Sequence, residues 1–198
     1  MSSNANASPR KPEWLKQRLP SGPAFGRVNA LLRKRDLHTV CEEANCPNRG
    51  ECFSDLTATF LILGPRCSRN CRFCAVETGT DGGLDPGEPE RVALAAEELG
   101  LDYVVVTSVT RDDLPDGGAG QFAATVERIR EVNPSALVEV LIPDFQGSRS
   151  ALKTVIDAGP NVLNHNLETV KRLYPLARPE ADYERSLQLL ARCRGMAP

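Results

Sequence analysis

The sequence has few histidines, few aromatic residues and no long apolar run. Only 2 of its 198 residues are histidines, and aromatic residues make up 5%. No apolar stretch approaches the roughly 18 residues of a membrane-spanning helix. The small, polar residues 1–7 lack the apolar core of a secretory signal. We therefore expect a cytoplasmic protein with no membrane partner, and the matrix of an organelle is the alternative location.

Several common catalytic motifs are also missing. The sequence has no GxGxxG, P-loop, HExxH or GxSxG pattern, which argues against the usual dinucleotide-binding, nucleotide-hydrolysing, zinc-protease and serine-hydrolase classes. A net charge of −2 does not indicate a nucleic-acid partner. The charge is uneven, however, because eight basic and only two acidic residues precede Val40. This basic segment is either an arm that docks an acidic partner or a solvated surface.

The cysteines are the residues whose spacing indicates a functional site in this sequence. Six of the seven cysteines lie in two triplets, spaced Cys-x4-Cys-x5-Cys and Cys-x3-Cys-x2-Cys. The seventh, Cys193, stands alone on a predicted helix, where we expect a structural role. The first triplet consists of Cys41, Cys46 and Cys52, and the second of Cys67, Cys71 and Cys74.

Three kinds of site compete as explanations of the triplets. Disulfides need an oxidising compartment, to which nothing in the sequence points. A structural zinc site takes four ligands and often includes histidine, yet neither His38 nor His165 has zinc-finger spacing. Cysteine thiolates are the usual ligands of iron–sulfur clusters, and three of them leave one iron of a four-iron cluster free to bind a small molecule. The pattern therefore favours two 4Fe–4S clusters.

Predicted strands and helices alternate along the rest of the chain. This alternation is typical of parallel strands joined by right-handed crossovers, which fits both an open doubly wound sheet and a barrel. Polar residues cluster directly after each strand, as at the catalytic face of a (β/α) barrel. The predicted strands are residues 57–63, 103–107, 137–142 and 161–164, and the predicted helices are 89–99, 120–132, 148–158 and 180–194, with Gly100 and Ser148 as caps.

Motifs spread along most of the chain resemble one family. They are RKPEWLK at 10–16, CEEANCPNRGEC at 41–52, TATFLILG at 57–64, CSRNCRFC at 67–74, TSVTRDDLPDGG at 107–118, IPDF at 142–145 and NHNLET at 164–169. Together they resemble the lipoyl synthase family of the radical S-adenosylmethionine (SAM) superfamily. The second triplet alone indicates only the superfamily, whereas the first triplet directly upstream is specific to the family.

The resemblance implies an α/β fold, a partial (β/α) barrel of the radical SAM type. We expect this barrel at residues 57–198, truncated after about four units, because a full barrel usually needs about 250 residues. Residues 1–56 would form an N-terminal extension that carries the auxiliary cluster motif.

The resemblance also implies a reaction and its partners. The cluster on the second triplet would bind SAM at its open iron, and one-electron reduction would give methionine and a 5′-deoxyadenosyl radical that attacks an octanoyl chain. The cluster on the first triplet would be consumed as the sulfur source for C6 and C8. Implied partners are octanoylated lipoyl carrier domains of 2-oxoacid dehydrogenase subunits or the glycine cleavage carrier protein, an electron donor such as flavodoxin or ferredoxin, and an iron–sulfur carrier.

Five further residues are candidates for contacts with SAM. Phe73 precedes the last cysteine of the second triplet, where the family has an aromatic ring near the adenine, and its alternative role is core packing. Ser108, Asn166 and Glu168 follow predicted strands and are candidates for polar contacts, with loop capping as the alternative. Arg178 is a candidate for the cofactor carboxylate, although an exposed arginine is the more usual finding.

The chain departs from the family pattern at its C-terminal end. The family's auxiliary cluster takes a fourth ligand from an Arg-Ser-Ser-Tyr motif, but no serine follows Ser186. We therefore expect the C-terminal third to be missing from this sequence. Three hypotheses stay open: an incompletely recorded lipoyl synthase, a radical SAM protein without sulfur insertion, and a metal-binding fragment without turnover.

Overall fold

The computed structural model describes Pro12, residues 22–80 and residues 82–196, so four of the eight basic residues of the N-terminal segment lie outside the described residues. All four predicted strands are confirmed within one or two residues at each end, and three short strands add to them. In the described part of the chain the strands are β1 (His38–Thr39), β2 (Thr59–Ile62), β3 (Arg66–Cys67), β4 (Glu77–Thr78), β5 (Tyr103–Ser108), β6 (Leu137–Leu141) and β7 (Val162–Asn164).

The helices follow the predicted alternation. Those predicted at 89–99, 120–132 and 148–158 are confirmed as α4 (Glu88–Leu99), α5 (Ala119–Val132) and α6 (Arg149–Asp157). The last predicted helix, α8, begins at Tyr183 rather than at residue 180, because Asp182 caps it by accepting a hydrogen bond from the Arg185 amide at 2.7 Å. The described helices are α1 (Pro23–Lys34), α2 (Val40–Glu43), α3 (Arg49–Ser54), α4 (Glu88–Leu99), α5 (Ala119–Val132), α6 (Arg149–Asp157), α7 (Tyr174–Ala177) and α8 (Tyr183–Met196), with short 3₁₀ turns at Phe145–Gly147 and Lys171–Leu173.

Both predicted helix caps are confirmed. The Ser148 hydroxyl accepts a hydrogen bond from the Ala151 amide at 3.2 Å, which satisfies one of the free amides at the start of α6. Gly100 ends α4 in the left-handed conformation with φ 70°, which glycine adopts without steric strain.

Five strands form one sheet in the order β1–β2–β5–β6–β7, and β3 pairs separately with β4. The pairs β2–β5, β5–β6 and β6–β7 are parallel, whereas β1 adds an antiparallel edge beside β2. The expected four parallel β/α units of a partial barrel are therefore confirmed, and in the described residues the strand order does not close into a ring.

The hydrophobic core lies between the sheet and the helices α4, α5 and α6, which pack side by side. Alternate strand residues point to these helices, and Val104, Val106, Val138 and Val140 are buried completely. The residues that alternate with these valines, including Tyr103 and Leu137, lie on the opposite face of the sheet and remain partly exposed. This arrangement brings the carboxyl ends of the parallel strands to one edge. The division of the chain at residue 56 stays a prediction.

Candidate metal and cofactor site

The second triplet lies on the loop that leaves the carboxyl end of β2. Cys67 ends β3, and Cys71 and Cys74 follow before β4. The loop is fastened to the segment after β5, because the Ser68 amide donates to the Thr110 carbonyl at 2.9 Å and the Thr110 amide donates to the Cys67 sulfur at 3.3 Å. A backbone amide directed at a sulfur is the kind of contact that adjusts the reduction potential of a cluster.

The three thiols of the second triplet are close enough to influence one another. Burial raises the pKa of the Cys71 thiol, the Arg178 side chain opposes this rise, and the neighbours Cys67 and Cys74 add to it. All seven cysteines are free thiols. In the described residues no three thiols, imidazoles or carboxylates already converge as a metal site does. The donor type and crowding suit a cluster, and the assignment of these ligands stays a prediction.

The first triplet shows the same crowding of thiols. Cys41 lies in α2, Cys46 in the following turn and Cys52 in α3. Burial raises the pKa of the Cys41 thiol, and the neighbouring Cys46 and Cys52 raise it further despite a backbone hydrogen bond from Thr59. Burial also raises the pKa of the Cys52 thiol, and the neighbouring Cys46 raises it further. Because a cationic metal would relieve this unfavourable clustering of thiolates, the donor set fits a cluster.

A small cleft opens beside the second triplet at the carboxyl ends of β5, β6 and β7. Its volume is about 120 Å³. Four of the five predicted SAM-contacting residues line it: Ser108, Asn166, Glu168 and Arg178. The sequence analysis therefore selected residues that the fold brings together, although their contacts with a cofactor stay predictions.

Two buried polar atoms at this cleft lack hydrogen-bond partners in the described part of the chain: the Ser108 hydroxyl and Nε of Arg178. Buried polar groups are normally paired, so a ligand that supplied an acceptor and a donor here would complete the site. Glu168 adds a further sign of a functional position. Its φ of 62° lies in the left-handed region that non-glycine residues adopt at a cost in free energy.

Arg178 connects the cleft to the cysteine loop. Its Nη1 donates to the Asn166 carbonyl at 2.8 Å, and the guanidinium lies 5.6 Å from the centre of the Tyr174 ring. The positive charge of the same side chain favours the thiolate of Cys71, because it opposes the rise in the pKa of that thiol. A cation that lines the cleft and also acts on a thiol of the second triplet can adjust the charge of both.

Phe73 does not line the cleft and does not pack in the core. Its side chain is 55% exposed, so core packing, the alternative considered for it, is wrong. A contact with adenine stays a prediction, and this exposed ring is available for it.

Sequence reasoning missed two residues at this site. His165 lines the cleft, where its Nδ1–H donates to the Ile142 carbonyl at 2.8 Å and its Nε2 accepts from the Ser186 hydroxyl at 2.9 Å. Burial lowers the pKa of this imidazole, which keeps it neutral. Arg69 is buried between Cys67 and Cys71 and pairs with Asp112 and Asp144. Both residues lie inside motifs that carry the family resemblance, NHNLET at 164–169 and CSRNCRFC at 67–74, but those motifs do not say which of their residues reach the site.

The described helices include none that is both long and apolar enough to cross a membrane. Comparison with known families gives two matches. Residues 61–197 match the Radical SAM superfamily, and residues 2–46 match the N-terminal domain of lipoyl synthase of the Radical SAM family. The first match covers most of the chain, so this protein belongs to the radical SAM superfamily.

Within that superfamily the chain is similar to lipoyl synthases. It is 56% identical over 188 residues to the lipoyl synthase of Desulfotalea psychrophila, covering 95% of this chain and 63% of that protein. It is 58% identical to the lipoyl synthase of Halorubrum lacusprofundi, and the match covers 92% of this chain and 60% of that protein. It is 56% identical to the lipoyl synthase of Alkaliphilus metalliredigens, and the match covers 96% of this chain and 65% of that protein. The chain therefore spans about three fifths of the length of these curated relatives.

Proposed function

We propose that this chain carries out the chemistry of a lipoyl synthase, a radical SAM sulfurtransferase. The reaction inserts two sulfur atoms, at C6 and C8, into an octanoyl group attached to a carrier protein. One observation carries this proposal: the second cysteine triplet and the cleft with unpaired buried polar atoms are adjacent and are connected through Arg178. The identity with lipoyl synthases and the presence of both triplets support the particular reaction.

The second triplet is assigned to the catalytic cluster. Cys67, Cys71 and Cys74 would hold a 4Fe–4S cluster, which when bound and reduced would supply the electron for the cleavage of SAM into methionine and a 5′-deoxyadenosyl radical. The residues of the chain would bind and orient the cofactor, while the cofactor supplies the radical chemistry.

The residues that line the cleft offer contacts of different kinds, each suited to a different part of SAM. Arg178 offers a planar set of N–H donors, which suits the cofactor carboxylate. The carboxylate of Glu168 accepts from the ammonium or the ribose hydroxyls, and Ser108 and Asn166 each offer a donor and an acceptor. Phe73, exposed on the cysteine loop, stacks beside the adenine.

The first triplet is assigned to the second 4Fe–4S cluster, the source of sulfur. Cys41, Cys46 and Cys52 lie in short helices next to β1 and β2, so the auxiliary cluster would be held by residues that share the core of the sheet. Octanoylated lipoyl carrier domains supply the substrate, and flavodoxin or ferredoxin supplies electrons. An iron–sulfur carrier restores the consumed cluster. We place this chemistry in the cytoplasm, where thiols stay reduced.

Iron counting combined with product analysis tests the proposal. The chain is expressed without oxygen and reconstituted with iron and sulfide, and then compared with a Cys67/Cys71/Cys74→Ala variant. We expect about eight irons in the wild type and about four in the variant, together with complete loss of SAM cleavage. Cys193→Ala, outside both triplets, is the matched control and should keep the wild-type iron content.

The products separate the proposed reaction from simpler ones. Incubation with SAM, a reductant and an octanoylated carrier domain should give 5′-deoxyadenosine and a lipoylated carrier. Formation of 5′-deoxyadenosine without sulfur insertion would indicate a radical SAM protein with another substrate. Stoichiometric zinc in place of iron would contradict the proposal altogether.

A further inference from the structure

Arg69 lies between two proposed cluster ligands, Cys67 and Cys71, and yet its side chain is only 3% exposed. Its guanidinium donates to both carboxylate oxygens of Asp112, at 2.5 and 2.9 Å, and to both of Asp144, at 3.1 and 2.7 Å. A guanidinium bound to two carboxylates at once has a fixed plane and a fixed position. We call Arg69, Asp112 and Asp144 together the Arg69 clamp.

The clamp joins loops that come from three different strands. Arg69 belongs to the loop after β2, Asp112 follows β5 and Asp144 follows β6. Asp144 is also held from α8, since Arg185 approaches its carboxylate to 3.4 Å. The clamp therefore fixes the cysteine loop relative to the strand ends that form the cleft.

The backbone after Asp144 is strained in a way that serves the clamp. Phe145 and Gln146 have φ angles of 45° and 51°, in a region that residues with side chains rarely occupy. The turn lets the Asp144 carboxylate accept the Gln146 amide at 3.0 Å while it also binds Arg69. The Gln146 side chain then donates to the Asp112 carbonyl at 3.1 Å. Such strain persists only where surrounding contacts compensate for it.

The charges within the clamp depend on one another. Burial disfavours the charged guanidinium of Arg69, and the hydrogen bonds from Arg69 to the two aspartates compensate for this cost. Burial alone would raise the pKa of Asp144, but Arg69 outweighs this and the net pKa is lowered. Removing Arg69 leaves the buried Asp144 with only the longer contact to Arg185, which is more costly than the loss of a surface ion pair.

We propose that Arg69 is a positioning residue that holds the cysteine loop, residues 67–74, in its cluster-binding conformation before any cluster is present. This inference rests on the proposed function of the second triplet. The crowded thiols have no attraction for one another without metal, so the loop needs an anchor that does not depend on iron. With the clamp in place, the loop loses its conformational entropy during folding rather than during cluster assembly.

Hydrogen exchange in the cluster-free full chain tests the clamp directly. In Arg69→Lys, which keeps the charge but loses the bidentate contacts, we expect the amides of residues 68–74 to exchange roughly tenfold faster. The amides of α4 and α5 should exchange at the wild-type rate. Asp144→Asn, as a second variant, should loosen the same loop.

The matched control for this experiment is Arg128→Lys. Arg128 also pairs with two carboxylates, those of Glu90 and Glu131, but it lies on the helical layer away from the cysteines. The Arg128→Lys substitution should leave the rate of amide hydrogen exchange in residues 68–74 unchanged. Equal acceleration of loop and helices in Arg69→Lys would overturn the proposal, because Arg69 would then be an ordinary stabilising residue. An unchanged loop would overturn it as well.

A spectroscopic measurement adds a readout that a purely structural role would not alter. After reconstitution, the EPR signal of the reduced cluster should broaden in Arg69→Lys and stay sharp in Arg128→Lys, because a loose loop presents its thiolates in several arrangements. An EPR signal identical to that of the wild type would overturn the proposal. If wild-type protein takes up no iron on the second triplet, the proposed function fails, whereas the exchange rates still decide whether the clamp holds the loop.

Discussion

Ser108 and Arg178, from distant parts of the chain, line the same cleft, and each contributes one buried polar atom without a hydrogen-bond partner in the described structure. A folded protein leaves few such atoms unpaired, and each one calls for an explanation. Both line the cleft at the carboxyl ends of the parallel strands, so a single polar ligand bound there would pair both atoms.

Ser108→Ala is expected to weaken SAM binding without weakening the fold. Among the described residues the hydroxyl has no partner, so its removal leaves no other group unsatisfied there and the free energy of unfolding should change by less than about 0.5 kcal/mol. Loss of one hydrogen bond to the cofactor should raise the Kd for SAM roughly fivefold to tenfold. Calorimetric titration of the reconstituted protein and urea denaturation measure the two effects. A large loss of stability with unchanged affinity would assign Ser108 to the scaffold instead.

Ser68→Ala is expected to weaken the fold, unlike Ser108→Ala, because the Ser68 hydroxyl both donates and accepts a hydrogen bond within the protein. Ser68 Oγ donates to the Thr110 carbonyl at 2.9 Å and accepts from the Asp112 amide at 3.0 Å. Its loss should destabilise the fold by about 1–3 kcal/mol, since it leaves the Asp112 amide without its partner, whereas the Thr110 carbonyl keeps its hydrogen bond from the Ser68 amide. Ser54→Ala, which removes an exposed hydroxyl bonded within its own helix, is the matched control and should change stability little. Equal midpoints in urea for both variants would contradict the expectation.

The difference between the two serines shows what the sequence could and could not predict. Strands such as β2 and β5 are visible as runs of β-branched and apolar residues, and polar residues after parallel strands meet at one edge, which identified Ser108 and Asn166. Nothing local identifies the partners of Arg69, because Asp112 and Asp144 approach it only after three loops have folded together. The left-handed turn after Asp144 was equally hidden, since it uses Phe145 and Gln146 instead of glycine alone.

His165 should make stability depend on pH below its unfolded pKa of about 6.5. Burial lowers the pKa of the folded imidazole, so between the folded and unfolded values the unfolded chain binds more protons. Its contribution is therefore fully present above pH 6.5 and is lost as the pH falls toward the folded value. Urea denaturation of the metal-free chain between pH 5 and pH 8 measures this slope, which should flatten in His165→Gln. Parallel slopes in the two proteins would rule out His165 as the source.

Gly118→Ala should be strongly destabilising, because Gly118 has neither room nor a suitable conformation for a side chain. Its φ is 87°, and an added Cβ would lie 2.3 Å from Cδ1 of Leu63. Leu63 follows β2, is buried and has a left-handed φ of 72°, so its side chain has little room to move away. Overpacking and backbone strain together should cost about 2–4 kcal/mol and lower the iron content after reconstitution.

Gly26→Ala is the matched control for Gly118→Ala. Gly26 lies inside α1, and an added Cβ would meet nothing within 4 Å. Alanine at this helical position should stabilise the protein by about 0.5–1 kcal/mol, because it restricts the unfolded chain more than glycine does. Thermal denaturation of both variants checks the opposite signs. If Gly118→Ala unfolded at the wild-type temperature and still loaded the second triplet with iron, the close packing of Leu63 against α5 would not be what sets the position of the cysteine loop.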